Sequence, residues 1–122
     1  MPKFVEMDQT VTLADQLKDE GGAVVLVNTF VVRPEEADRL LAAWAADAAI
    51  MKRQPGFIST QLHRGVAGSG AFLNYAVWES VAHFRAAFAN PEFRARLGEY
   101  PEDATASPHL FRPVAVPGIC VA

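Results

Sequence analysis

Residues Ala71–Ser80 read AFLNYAVWES: apolar almost throughout, with one amide and one indole at the same parity. Side chains alternate along an extended chain, so Phe72, Asn74, Ala76 and Trp78 share one face while Ala71, Leu73, Tyr75 and Val77 share the other. Both faces are mostly apolar. The segment is therefore expected to be a strand buried on both sides, inside a sheet. An amide among such neighbours costs about 1–3 kcal/mol if nothing bonds it. Asn74 is thus either satisfied by protein groups or turned toward a ligand or water in a cavity.

Working outward, Ala23–Val32 has the same character, with Val24, Leu26, Asn28, Phe30 and Val32 on one face and Val25, Val27, Thr29 and Val31 on the other. Between the two strands, Pro34-Glu35-Glu36 opens a helix running to about Arg53, with proline at its first position and acidic residues at the positive end of its dipole. Ala37, Leu40, Leu41, Trp44, Ala48 and Met51 are expected to form its buried stripe, with Asp47 off it. Pro55-Gly56 ends the helix, Phe57–Arg64 is expected as a strand, and GVAGSG (Gly65–Gly70) as a hairpin loop. Ser80 caps a second helix with the stripe Val81, Phe84, Phe88, and Asn90-Pro91 starts a further helical piece to Leu97. Glu99–Pro108 reads as a loop and His109–Val116 as a last strand, confined to an edge or bulge by Pro113. At the N-terminus, Thr12 caps a short helix over Leu13–Lys18.

The order strand, helix, strand, strand, helix, strand is that of an α+β, ferredoxin-like β-α-β-β-α-β sandwich. Right-handed crossovers place both helices on one face. Val25, Val27, Val31, Leu73, Tyr75 and Val77 on the other face would then meet water, a larger patch than a monomer usually exposes. A homodimer with sheets packed face to face, a dimeric α+β barrel, is the expectation. Residues 1–22 are expected as an N-terminal appendage, 23–116 as the domain and 117–122 as a tail.

At 122 residues the chain is one domain by length, able to hold a core without staples. Its net charge of −3 and lack of any Lys/Arg cluster argue against nucleic acid as a partner. The single cysteine, Cys120, has no intramolecular partner and no neighbouring base. The first twenty residues lack the apolar run of a leader, and no stretch approaches the ~20 apolar residues of a membrane span. The protein is expected to be cytoplasmic. His63, His83 and His109 lie in three different elements without ligand spacing, so no metal is expected.

The residues PGFIST (Pro55–Thr60), His63 and NYAVWES (Asn74–Ser80) resemble the antibiotic biosynthesis monooxygenases, most of all the small anthrone oxygenases of aromatic polyketide pathways. The resemblance covers Ala23–Val116. It implies a dimeric ferredoxin-like fold and an oxygenase that uses neither metal nor flavin, acting on a small aromatic substrate and molecular oxygen. It implies catalytic roles for Asn74 and Trp78, whose N–H groups would hold a substrate anion, and for His63 as base or hydrogen-bonding wall. From the residues themselves, Asn28 is a candidate cavity wall and Phe72, Phe84 and Phe88 are the flat apolar walls a cavity would offer an aromatic substrate, with Arg94 or Arg96 as the candidate binding charge on the late helix. Two positions depart from the pattern: Phe84 stands where these oxygenases have a tyrosine, and Leu97 where they have an arginine. Those departures favour the other expectation, a dimeric small-molecule binding or stress-associated protein with the same fold and no oxygenase chemistry.

Overall fold

A computed structural model describes all 122 residues, Met1–Ala122. The chain begins with β1 (Lys3–Phe4) and α1 (Leu13–Gln16), the latter capped by Thr12 and Asp15 in a reciprocal capping box. Then come β2 (Val24–Val31), a 3-10 turn over Pro34–Glu36, α2 (Ala37–Met51), β3 (Phe57–Arg64) and β4 (Ala71–Trp78). Two short helices, α3 (Val81–Phe88) and α4 (Pro91–Arg96), precede β5 (Thr105–Phe111). The sheet order is β1-β5-β2-β4-β3, so the four long strands have the ferredoxin-like arrangement and β1 is added parallel to β5. This is the mixed α+β fold that the order of strands and helices in the sequence implies.

The turn between α2 and β3 shows why its residues are needed. Gly56 has φ +86°, and a Cβ there would lie 2.2 Å from the His83 ring. Only glycine meets both demands.

Three expectations need correcting. The last strand is Thr105–Phe111, not His109–Val116, and it lies between β1 and β2 rather than at an edge. Pro108 is tolerated inside it for a geometric reason. The Val5 N–H donates to the Ala106 carbonyl at 2.9 Å, so Ala106 turns its backbone toward β1, and Pro108, two residues on, turns the same way. By then β1 has ended, so the missing N–H of proline breaks no ladder bond. The second correction concerns the polar-looking loop before β5: Tyr100, Pro101 and Ala104 within it are buried.

The third concerns α2. Its buried positions are Ala37, Leu40, Ala43, Asp47 and Ile50, while Leu41 is 37% exposed. The helix packs against α4 as well as covering the sheet, which turns its buried arc toward Ala43 and Asp47. Asp47 is consequently only 4% exposed.

The helix-side face of the sheet carries two hydrophobic clusters with a gap between them. One holds Phe30, Val32, Leu40, Phe72 and Ala106, and the other Val24, Leu26, Ala76, Trp78, Phe84 and Leu110. Across the gap runs a row at one level: Asn28 pairs with Asn74 on β4 and with Pro108 on β5. Two amides and a proline ring fill that row poorly, so the core divides there.

Candidate functional site

A pocket opens over this row, between sheet and helices, with about 700 Å³ of atom-free space including its mouth. The sheet supplies one wall through Leu26, Asn28, Asn74, Ala76 and Trp78, which share one parity on adjacent strands. The helices and the connection to β5 supply the other, notably Trp44, Asp47, Phe84, Phe88, Leu97 and Tyr100. Residues of the N-terminal strand, Pro2 and Phe4, close one side, Phe4 resting against Phe88 with ring centroids 6.5 Å apart.

Polar groups in this apolar shell are few and incompletely satisfied. Asn74 accepts a hydrogen bond from the Thr60 hydroxyl at 2.5 Å, which fixes its oxygen and leaves its NH2 group without a protein acceptor. Asn28, directly opposite, has a buried Oδ1 with no donor. Trp78 is 1% exposed, wedged edge-on against Phe57 and Phe84 with centroids 5.5 and 5.7 Å away, and its indole Nε1–H has no acceptor. Buried polar groups are normally paired, so an unpaired donor and acceptor lining one cavity mark where a ligand would bond.

Asp47 adds the only carboxylate. Its Oδ1 also lacks a partner. Burial raises its pKa to about 6; hydrogen bonding from Tyr100 opposes the rise, and among nearby charges Glu99 adds to it while Arg96 offsets it. Tyr100 is stacked on Phe30 at 5.7 Å, and burial together with the Asp47 charge pushes its phenol pKa above the ordinary value.

Of the residues named from the sequence, Asn28, Asn74, Trp78, Phe84 and Phe88 line the pocket. His63 does not. It pairs with Leu73, on the opposite face of the sheet from Asn74, and its Nδ1 lies 3.3 Å from the Leu73 carbonyl oxygen. Phe72 belongs to the packed cluster beside the pocket and does not line it. Arg94 lies over the outer side of the Phe88 ring, 4.5 Å from its centroid, and Arg96 pairs with Glu99 at 3.1 Å, so neither guanidinium is part of the lining. Asp47 and Tyr100 are the ionisable lining residues that sequence reasoning missed. For Asp47 a signal existed: it stands four residues after Ala43 and three before Ile50, inside a helical apolar stripe. Tyr100 follows Gly98-Glu99 in a stretch whose polarity hid it.

No helix is long and apolar enough to cross a membrane. Residues 23–96 match the family described as antibiotic biosynthesis monooxygenase. The chain is similar to deoxynogalonate monooxygenase of Streptomyces nogalater, 37% identical over 70 residues, which make up 57% of this chain and 58% of that one. It is likewise similar to tetracenomycin-F1 monooxygenase of Streptomyces glaucescens, 38% identical over 72 residues, covering 57% and 62%. The matched part thus spans about three fifths of the length of these relatives. Among solved structures, that of SnoaB, a cofactor-independent oxygenase from Streptomyces nogalater, superposes with a TM-score of 0.70 at 29% identity, covering 80% of this chain and 99% of SnoaB.

Proposed function

Since the chain belongs to the antibiotic biosynthesis monooxygenase family, we propose that it is a cofactor-independent monooxygenase of a small phenolic, anthrone or quinol-like aromatic compound. The observation that carries this reading is the pairing of an aromatic shell with an unpaired Trp78 N–H, close to the asparagine row whose Asn28 oxygen is also unpaired. A polycyclic aromatic suits flat walls such as Phe84 and Phe88. An anthrone can ionise to an enolate and pass an electron to oxygen directly, so the protein has to bind, orient and stabilise an anion. The Trp78 N–H and the Asn74 NH2 are donors of the kind that task requires, and Thr60 holds the amide so that the NH2 is the end offered. Both named relatives are monooxygenases, which agrees with this reaction class.

In the same proposal the working unit is a homodimer. The sheet face away from the helices exposes Val31, Tyr75 and Phe111, the first at 54%, and a second copy packed against it would remove that apolar surface from water. A second reading is favoured by one observation: the pocket contains neither an imidazole nor a phenol at position 84. In that case the protein binds aromatic molecules without oxidising them.

Oxygen uptake with a simple anthrone such as dithranol separates the two. The oxygenase reading expects acceleration above spontaneous oxidation, unchanged by chelators and lost in Asn74→Ala and Trp78→Phe. Thermal stabilisation by phenolic ligands without any uptake would establish binding alone.

A further inference from the structure

Proton removal from the substrate needs an acceptor, and the pocket lining has two ionisable side chains: Asp47 and Tyr100. Both come from the helix-side wall, across the cavity from the Trp78 indole and the asparagine row. We propose that Asp47 is the general base of the oxygenation and that Tyr100 positions and tunes it, a role that rests on the oxygenase reading above. Two features carry this. Asp47 is buried yet has a carboxylate oxygen with no hydrogen-bond partner. A carboxylate so placed retains a lone pair for a substrate proton. No other lining side chain can take a proton at neutral pH, since the remainder are apolar, amide, hydroxyl or indole.

The step balances without an outside reductant. The Asp47 carboxylate takes a proton from the acidic CH2 carbon, and the C–H electron pair stays in the ring system as an enolate under the Trp78 and Asn74 donors. The enolate gives one electron to molecular oxygen, and the two radicals join to form the C–O bond. The resulting peroxide anion takes the proton back from Asp47. Loss of water from the hydroperoxide leaves a carbonyl, so one oxygen atom enters the product and the other leaves as water.

The groups that set the protonation of Asp47 are Tyr100 and Glu99 on the segment after α4, and Arg96 at the end of α4. Burial in this setting brings the carboxyl toward neutrality, where a base works best. Tyr100 lowers its pKa by hydrogen bonding, so removing the phenol moves it further up.

The test is dithranol-dependent oxygen uptake measured from about pH 4 to about pH 8 with the spontaneous rate subtracted, for wild type, Asp47→Asn and Tyr100→Phe. Wild type is expected to gain activity with rising pH through a limb near about 6. Asp47→Asn is expected to lose that limb and about 100- to 10,000-fold in kcat/KM. In Tyr100→Phe the limb moves to higher pH, a displacement that a purely structural contribution would not cause. A cooperatively folded Asp47→Asn with wild-type rate and pH profile overturns the proposal while leaving the oxygenase reading intact. Should Asp47→Asn fail to fold, the wild-type limb and its shift in Tyr100→Phe decide, and absence of either overturns it. A wild type that does not accelerate uptake overturns the oxygenase reading and this role with it.

Discussion

The two walls of the pocket are built from different chemistry. The sheet wall offers neutral groups, the amides of Asn28 and Asn74 and the indole of Trp78, fixed by ladder register on adjacent strands. The helix wall offers the ionisable pair Asp47 and Tyr100 among phenylalanines. A neutral, rigid donor array stabilises charge that develops on a bound molecule without moving when it does. An ionisable group can instead exchange a proton, and its placement on elements that meet by packing lets burial tune it. Under the proposed function the division of labour is physical: one wall would hold an anion and the other would make it.

The largest expected effect tests whether the helix wall is a packed structure or an adaptable one. Phe84 is fully buried, in edge-on contact with Trp78 and tilted against Phe88. Phe84→Ala should cost about 3–5 kcal/mol in denaturant unfolding; a loss under about 1 kcal/mol would mean that the aromatic shell collapses around the void. Next comes the sheet wall. Trp78→Phe deletes the N–H and the smaller ring of a fully buried indole, so kcat should fall about 100-fold or more, alongside a stability loss of about 1–3 kcal/mol for the void left behind. A drop in stability with no change in kcat would return Trp78 to the core.

A smaller effect separates the walls by titration. The Asp47 pKa is raised to about 6 from 3.8, so between those values the folded protein holds a proton that the unfolded chain releases. Stability contributed by this group is therefore present below about pH 4 and is lost as pH rises through about 6. After allowance for solvent screening the loss amounts to about 1–2 kcal/mol. In Asp47→Asn this pH slope should vanish, whereas Asn74→Ala should keep it. Urea midpoints measured across that range make the comparison. The smallest effect concerns the two facing amides. Thr60→Val removes the donor that fixes Asn74, at a cost of about 1 kcal/mol, and should raise KM by freeing the amide to rotate. If KM is unmoved, the difference between the bonded Asn74 and the unbonded Asn28 has no functional weight.

The sheet wall was legible in the sequence and the helix wall only in part. A strand has a period of two, so once Asn74 and Trp78 are on one face, Asn28 follows from register. The same parity argument runs against His63, which pairs with Leu73. Resemblance put that residue in the pocket, and alternation takes it out. A helix presents a broad arc, and its rotation is set by what lies on both sides of it. Without the position of α4, the arc through Leu41 competed with the one through Ala43, Asp47 and Ile50, and the polarity of Asp47 weighed against the second. Beyond α4 the difficulty was of another kind. Proline in a strand signals an edge or an end, and Pro108 hid β5 because the N–H it lacks is one that no neighbour requires, a fact that depends on where β1 stops.

That short first strand has one more consequence. Pro2 and Phe4 line the pocket, as do Tyr100, Ala106 and Pro108, yet all five lie outside the residues 23–96 that match the family. β1 is joined to the sheet by the Lys3 and Val5 amides, 2.8 and 2.9 Å from the Ala104 and Ala106 carbonyls. Two proteins sharing the whole matched domain could thus differ in which molecules they admit, because part of the cavity is written in the flanking sequence. Exchanging residues 1–5 is therefore a route to altered selectivity.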